Sequence, residues 1–345
     1  MPFADFRHIG SWLLLLGAFC VGCAPAKKEE EPALGDYVSE LPFREGYAIL
    51  QLSDLHFGCE SDLSHELAYL DAVVAAARQP DFLMLTGDCF LLGNERVASA
   101  LFARIRSYGV PYGVTWGNHD ADGYYRFSWL EGLVKEGESV YRHPEGSSLS
   151  GASNYVVNLV EGGKTVWQLY SLDSHSCVQT NPFRYEHPPI DEGQVSWYES
   201  ECEAARRPDG AYVPSIAYFH IPLRETAKAY ADEGGLTTYL RWEKNESISP
   251  SYKESSFFSA AKKRNAKALF YGHDHGNDFV ADYDGVTLGY GVKTDKELYY
   301  ARSEKRGYDL IGGSLLTLHE DATFDLTHLY VQDDAVFTTY RESYK

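Results

Sequence analysis

Positive charge is scarce in this chain. Its 31 Lys and Arg face 50 Asp and Glu, a net charge of -19 over 345 residues. A surface that acidic repels nucleic-acid backbones, so no nucleic-acid partner is expected, and a polymeric phosphate held by charge is excluded. Sulfur is scarce as well, with 6 Cys and 2 Met, which excludes a small disulfide-built scaffold. Neither an internal repeat nor a long low-complexity tract is present, so solenoids and disordered arrays are excluded. The apolar stretch at residues 9–22 falls short of the ~20 residues that a bilayer-crossing helix needs. What remains is a chain of 44% apolar composition, long enough for one large globular domain.

The amino-terminal apolar stretch suits the core of an export signal instead. Arg7 and His8 precede it, and it ends in Cys20-Val21-Gly22-Cys23, where a small residue before a cysteine resembles a bacterial lipoprotein cleavage box. Cys20 stands where such boxes usually carry Leu, and Asp5 weakens the basic start. The expectation is a signal over residues 1–22 and a lipid on the sulfur of Cys23, which would anchor the protein to a membrane outside the cytoplasm. Residues 23–46 include Lys27-Lys28-Glu29-Glu30-Glu31-Pro32 and little that could pack. They are expected to form a flexible tether to a domain at residues 47–345. The other cysteines are Cys59, Cys89, Cys177 and Cys202; they allow several pairings, of which a Cys59–Cys89 bridge is one.

Five polar motifs stand out, each at the end of a short apolar run. Ala48-Ile49-Leu50-Gln51-Leu52 leads to Asp54-Leu55-His56, and Phe82-Leu83-Met84-Leu85 leads to Gly87-Asp88. Tyr112-Gly113-Val114-Thr115 leads to Gly117-Asn118-His119-Asp120, Ile216-Ala217-Tyr218-Phe219 to His220, and Ala268-Leu269-Phe270-Tyr271 to Gly272-His273-Asp274-His275. Short apolar runs bounded by turn residues read as buried strands. Groups at the carboxyl ends of neighbouring strands converge on one edge of a sheet. Helical periodicity is predicted over residues 62–78, 95–108, 194–206 and 255–264, and a β-hairpin turns at Gly162-Gly163, which together indicate an α/β layered fold.

The motifs supply carboxylate, amide and imidazole donors of the kind that hold two metals close together. Asp54 and His56, two residues apart at a strand end, could grip one metal. Asp88 has two oxygens and could bridge both at a spacing of about 3.5–4 Å. Mixed nitrogen and oxygen ligation suits Mn, Fe or Zn rather than Mg or Ca alone.

In this order the motifs resemble the calcineurin-like metallophosphoesterases, whose pattern is Asp-x-His, Gly-Asp, Gly-Asn-His-Asp/Glu, His and Gly-His-x-His. The segments around His220 and His273 resemble the branch related to purple acid phosphatases. The resemblance implies a four-layer αββα sandwich with mixed sheets and two divalent or trivalent metal ions. One metal would take Asp54, His56, Asp88 and His275, the other Asp88, Asn118, His220 and His273. It also implies hydrolysis of a small phosphomonoester or phosphodiester by a metal-bound hydroxide, with His119 as general acid and Asp120 fixing the loop or orienting an imidazole. Purple acid phosphatases carry a tyrosine three residues after the bridging aspartate and an Asp-x-Gly first motif. Here those positions hold Leu91 and His56, so the purple colour is not expected and the metal pair stays open. Competing readings are a nucleotidase or pyrophosphatase, and a non-catalytic surface lipoprotein that uses the fold for binding.

Overall fold

The computed structural model describes residues 31–58, 62–296, 302–332 and 335–344. The expected signal, Cys23 and Cys59 lie outside the described residues. Two mixed sheets dominate. One runs in the order β18 (Val336–Tyr344), β17 (Phe324–Val331), β16 (Gly312–Leu318), β2 (Tyr47–Leu52), β3 (Phe82–Thr86), β4 (Tyr112–Thr115). The other runs β1 (Val38–Pro42), β5 (Tyr155–Glu161), β6 (Lys164–Ser171), β9 (Ser215–Tyr218), β11 (Ala266–Tyr271), β13 (Val286–Tyr290), β12 (Val280–Tyr283), β10 (Thr237–Arg241). Two small ribbons pair β7 (Val178–Asn181) with β8 (Arg184–Glu186) and β14 (Arg302–Ser303) with β15 (Tyr308–Asp309).

The helices α1 (Leu63–Ala76), α2 (Glu95–Ser107) and α3 (Phe127–Val134) cover the first sheet, and α4 (Glu192–Ala204), α5 (Arg224–Tyr230) and α6 (Phe257–Lys263) cover the second. This is the αββα sandwich. Its parallel strands β2, β3, β9 and β11 are buried on both faces, which is why they read in sequence as unbroken apolar runs rather than alternating ones. The predicted helices start where polar caps stand. Asp62 accepts from Ser64 N, Asn94 from Arg96 N and Val97 N, and Asp191 from Gly193 N and Gln194 N. The hairpin between β5 and β6 turns through Gly162 and Gly163 at φ 56° and 74°, a left-handed pair that glycine adopts without strain.

One boundary needs correction. Residues 38–42, placed in the flexible tether, form β1 at the edge of the second sheet, paired in parallel with β5 from Val38↔Val156 to Pro42↔Val160. Tyr37 and Phe43 are buried on either side of it. The apolar signal was masked because one inward position is Ser39, buried with its hydroxyl donating to Val140 O at 3.1 Å.

Beneath the second sheet, Glu201 of α4 is buried, with Oε1 lacking a partner. Burial pushes its carboxyl up from 4.5 to about 7. Between those values the unfolded chain has lost the proton that the folded chain keeps, so stability falls as pH rises through this window and levels off above it. Denaturant titrations at pH 5 and pH 8 are expected to differ by on the order of 2 kcal/mol from this group. In Glu201→Gln that component of the slope is lost.

Candidate metal centre

β2, β3 and β4 run parallel in one sheet, and β9 and β11 run parallel in the other. Their carboxyl ends meet at one edge of the sandwich, so each of the five motifs arrives there on its own turn. The turns are tied together by backbone bonds, Asp54 N to Gly87 O, His56 N to Asp88 O and Gly272 N to His220 O. Gln51 Nε2 crosses between the sheets to Tyr271 O at 3.3 Å.

Two candidate ligand sets form. Asp54, His56, Asp88 and His275 each offer an atom within 4.8 Å of the others, and Asp88, His220 and His273 do the same. Asp88 belongs to both. In the first set His275 Nε2 lies 3.2 Å from Asp54 Oδ1 and 3.1 Å from His56 Nε2. In the second, His220 Nε2 lies 3.3 Å from Asp88 Oδ2. His220 Nδ1 donates to Thr86 O at 2.9 Å, which turns the Nε2 lone pair toward Asp88. Asn118 Oδ1 and His220 Nε2 are buried without a hydrogen-bond partner. Orphaned acceptors are rare in native interiors, and these two sit at positions where a cation would satisfy them. The donor set therefore fits two metal ions; their identity is open.

The electrostatics say the same. Burial alone would push the Asp88 and Asp54 carboxyls up, yet the imidazoles of His220 and His275 hold both well below the usual carboxylate range. His220 is pushed up to about 10, because Asp88 outweighs the opposing effect of burial, so a cation at Nε2 would take the place of a proton there. Burial takes His56 down to about 4 and His273 well below its ordinary value. Strong opposite-sign coupling in a dry pocket is a mark of a functional site.

The backbone at the ligands is unusual. Asp54, His56, Asp88 and His273 all have positive φ, between 46° and 77°, a region costly for residues with a side chain. Gly87, at φ 86°, has no room to be anything else, since a Cβ would come within 2.6 Å of His220 Nδ1 and 2.7 Å of Gly117 N. Gly87→Ala is expected to displace the His220 ring and cost about 2 kcal/mol or more of stability, with loss of metal at the second position. Thermal unfolding and metal analysis of the purified variant check both.

A cleft of about 240 Å³ opens above the ligands, lined by Asp88, Asn118, His119, Glu246, Ser249, His273, Asp274 and His275. His119 Nδ1 donates to Asp122 Oδ2 at 2.9 Å, and its backbone N–H donates to Asp88 Oδ1 at 2.8 Å. Asp120, by contrast, is fully buried beneath the turn. It accepts from Gly117 N and Cys89 N, both at 2.7 Å, and from Phe90 N at 3.3 Å. It staples the Asp88 turn to the Asn118 turn; the imidazole is oriented by Asp122. Sequence reading passed over Asp122, although its spacing three residues beyond His119 in a turn was visible. It also passed over Glu246 and Ser249. These come from a loop pinned by Asn277 Oδ1, which accepts from Asn245 N and Glu246 N. Tyr290 Oη donates to Asp274, which stands between His273 and His275. His175, just beyond β6, donates to Gln194 Oε1 at 3.1 Å and does not line the cleft. Among the described residues, a larger cleft of about 750 Å³, beside Lys135, Tyr141 and Arg142, gathers no comparable ligand set.

The family model described as Calcineurin-like phosphoesterase matches residues 47–277, and the chain belongs to that family. The Arabidopsis thaliana protein named Probable inactive purple acid phosphatase 14 is 27% identical over 282 residues, 71% of this chain and 69% of that one. Probable inactive purple acid phosphatase 29 from the same plant is 28% identical over 281 residues, 71% of each chain. Among solved structures, a dimetal phosphatase from Danio rerio superposes with a TM-score of 0.53 at 12% identity, covering 86% of this chain and 100% of that one. This last likeness is one of fold.

Proposed function

We propose that the chain is a metal-dependent phosphoesterase that hydrolyses a small phosphomonoester or phosphodiester at the cleft. The observation that carries this reading is Asp88, whose carboxylate belongs to both ligand sets. Two cations held there would polarise the phosphoryl oxygens and supply an activated water near neutral pH. The chain's own groups do the rest. Asp54, His56, Asp88 and His275 hold one position; Asp88, Asn118, His220 and His273 hold the other. His119 stands at the cleft wall with Nδ1 committed to Asp122, which leaves Nε2 to give a proton to the departing oxygen. Asp120 acts from below by fixing the turn that carries Asn118 and His119.

The names of the plant relatives favour a second reading, a metal-holding protein that binds without turnover. Retention of the full ligand set together with His119 and its carboxylate partner supports the catalytic one, since a structural metal site has no use for a proton donor. The test is hydrolysis of a nitrophenyl phosphomonoester and the matching diester by the full chain, stripped of metal and reloaded with Mn, Fe or Zn. A rate restored by metal supports the enzyme, and the ratio of the two esters selects the substrate class. Two bound ions with no turnover of either ester would favour the binding protein. Export and attachment through a lipid on Cys23 belong to the same proposal; the mass of the mature protein, without residues 1–22 and with acyl chains, checks them.

A further inference from the structure

Asp54 has two carboxylate oxygens, and the fold treats them differently. Oδ1 faces the imidazoles of its ligand set, 3.2 Å from His275 Nε2 and 4.0 Å from His56 Nε2. Oδ2 accepts from the hydroxyl of the preceding residue, Ser53 Oγ, at 2.5 Å. An ionised carboxylate can only accept, so the serine proton points at Oδ2. A bond this short from a hydroxyl to a carboxylate is of the stronger, charge-assisted kind. The N–H of His273, 3.1 Å from Oδ1 and 3.2 Å from Oδ2, braces both oxygens.

Ser53 is itself fixed from far away in sequence. It is fully buried. Its N–H donates to Thr294 Oγ1 at 3.2 Å, its carbonyl accepts from Thr294 N at 2.7 Å, and Asp54 O accepts from Asp295 N at 3.1 Å. The backbone under Ser53 and Asp54 is thus clamped by residues outside both ligand sets. On the turn that carries His273 and His275, Gly272 leaves room for the pair. A Cβ there would come within 2.0 Å of Ser53 Oγ and 2.4 Å of Asp54 Oδ2. Gly272 lies outside the positive-φ region, so the close approach of this hydroxyl and carboxylate, not backbone conformation, is what calls for glycine at that position.

The first ligand set already brings together Asp54, His56, Asp88 and His275. A carboxylate can bind a metal through one oxygen or through both. If Asp54 turned to chelate through both, it would fill a further place, and a catalytic metal site keeps one for water or substrate. We propose that Ser53 is a positioning residue of this centre, whose hydroxyl occupies Oδ2 and holds Asp54 to a single ligating oxygen, Oδ1. The inference rests on the two-ion reading of the site and goes beyond it by assigning what keeps the first position open.

The test uses the full chain, stripped of metal and titrated with Mn or Zn by calorimetry. His56→Ala identifies which binding step belongs to the first position. In Ser53→Ala that step is expected to weaken by about 10-fold to 100-fold, while the other stays unchanged. Ser53→Thr, which keeps the hydroxyl, is expected to keep the affinity of the unsubstituted chain. Cobalt loading reads the geometry: its visible absorption falls as coordination number rises, so Ser53→Ala is expected to absorb more weakly per bound ion. Equal first-step affinities in Ser53→Ala and the unsubstituted chain overturn the inference, and so does an unchanged cobalt spectrum. Weakening of both steps alike overturns it too, as does a Ser53→Thr that binds as poorly as Ser53→Ala; each marks lost packing rather than a lost hydroxyl. These readouts are of binding, so an absence of ester hydrolysis with any metal counts against the phosphoesterase reading alone.

Discussion

Asp88→Asn is expected to lower kcat by at least about a thousandfold and to release metal from both positions. The substitution keeps the volume of the side chain and removes the charge that both ligand sets share. Metal ions in such sites supply the largest part of the charge stabilisation in phosphoryl transfer, so a loss of about three orders is the least that follows. An amide also changes the balance around His220, whose elevated affinity for a proton derives from the Asp88 carboxylate. Metal content by mass spectrometry, taken with kcat on a nitrophenyl ester, separates loss of metal from loss of fold, which circular dichroism monitors. Retention of both ions at full stoichiometry would remove Asp88 as the shared ligand.

His119→Ala has a different signature. A proton donor matters in proportion to how poorly the departing oxygen leaves. For an alkyl phosphate kcat is expected to fall by about 10² to 10⁴, whereas for a nitrophenyl phosphate, whose phenolate departs unaided, the fall stays within about tenfold. Asp122→Asn should follow the same pattern at roughly a tenth of the effect, because Asp122 positions the ring through its 2.9 Å bond to Nδ1 and does not itself reach the cleft. Metal content stays unchanged in both. Equal losses on the two esters would show that His119 acts on binding or on the metals rather than on the departing group.

Much of this centre was legible in the chain because each candidate metal ligand lies within four residues of the carboxyl end of a strand. β2, β3, β4, β9 and β11 are short, apolar and buried on both faces, so their ends could be read to within a residue or two, and the ends are where Asp54, Asp88, Asn118, His220 and His273 sit. What could not be read came from elsewhere. Asp122 is drawn to His119 by a turn, Glu246 reaches the cleft on a loop fixed by Asn277, and the β7–β8 ribbon has neither length nor apolar alternation to announce it. β1 was hidden by a buried serine. In each case position is set by contacts between segments far apart in sequence, which a local pattern does not contain.

The left-handed backbone at Asp54, His56, Asp88 and His273 narrows what those positions could become. Besides glycine, the residues that tolerate this conformation best are Asn, Asp and His. Carboxylate and imidazole donors are found in the same short list, so the turn geometry and the metal chemistry draw on one alphabet. A drift to alanine or valine at such a position loses a ligand and strains the turn together, while an exchange of Asp for Asn or His keeps the turn and alters the metal. Variation at these four turns should therefore change metal binding far more readily than whether the chain folds.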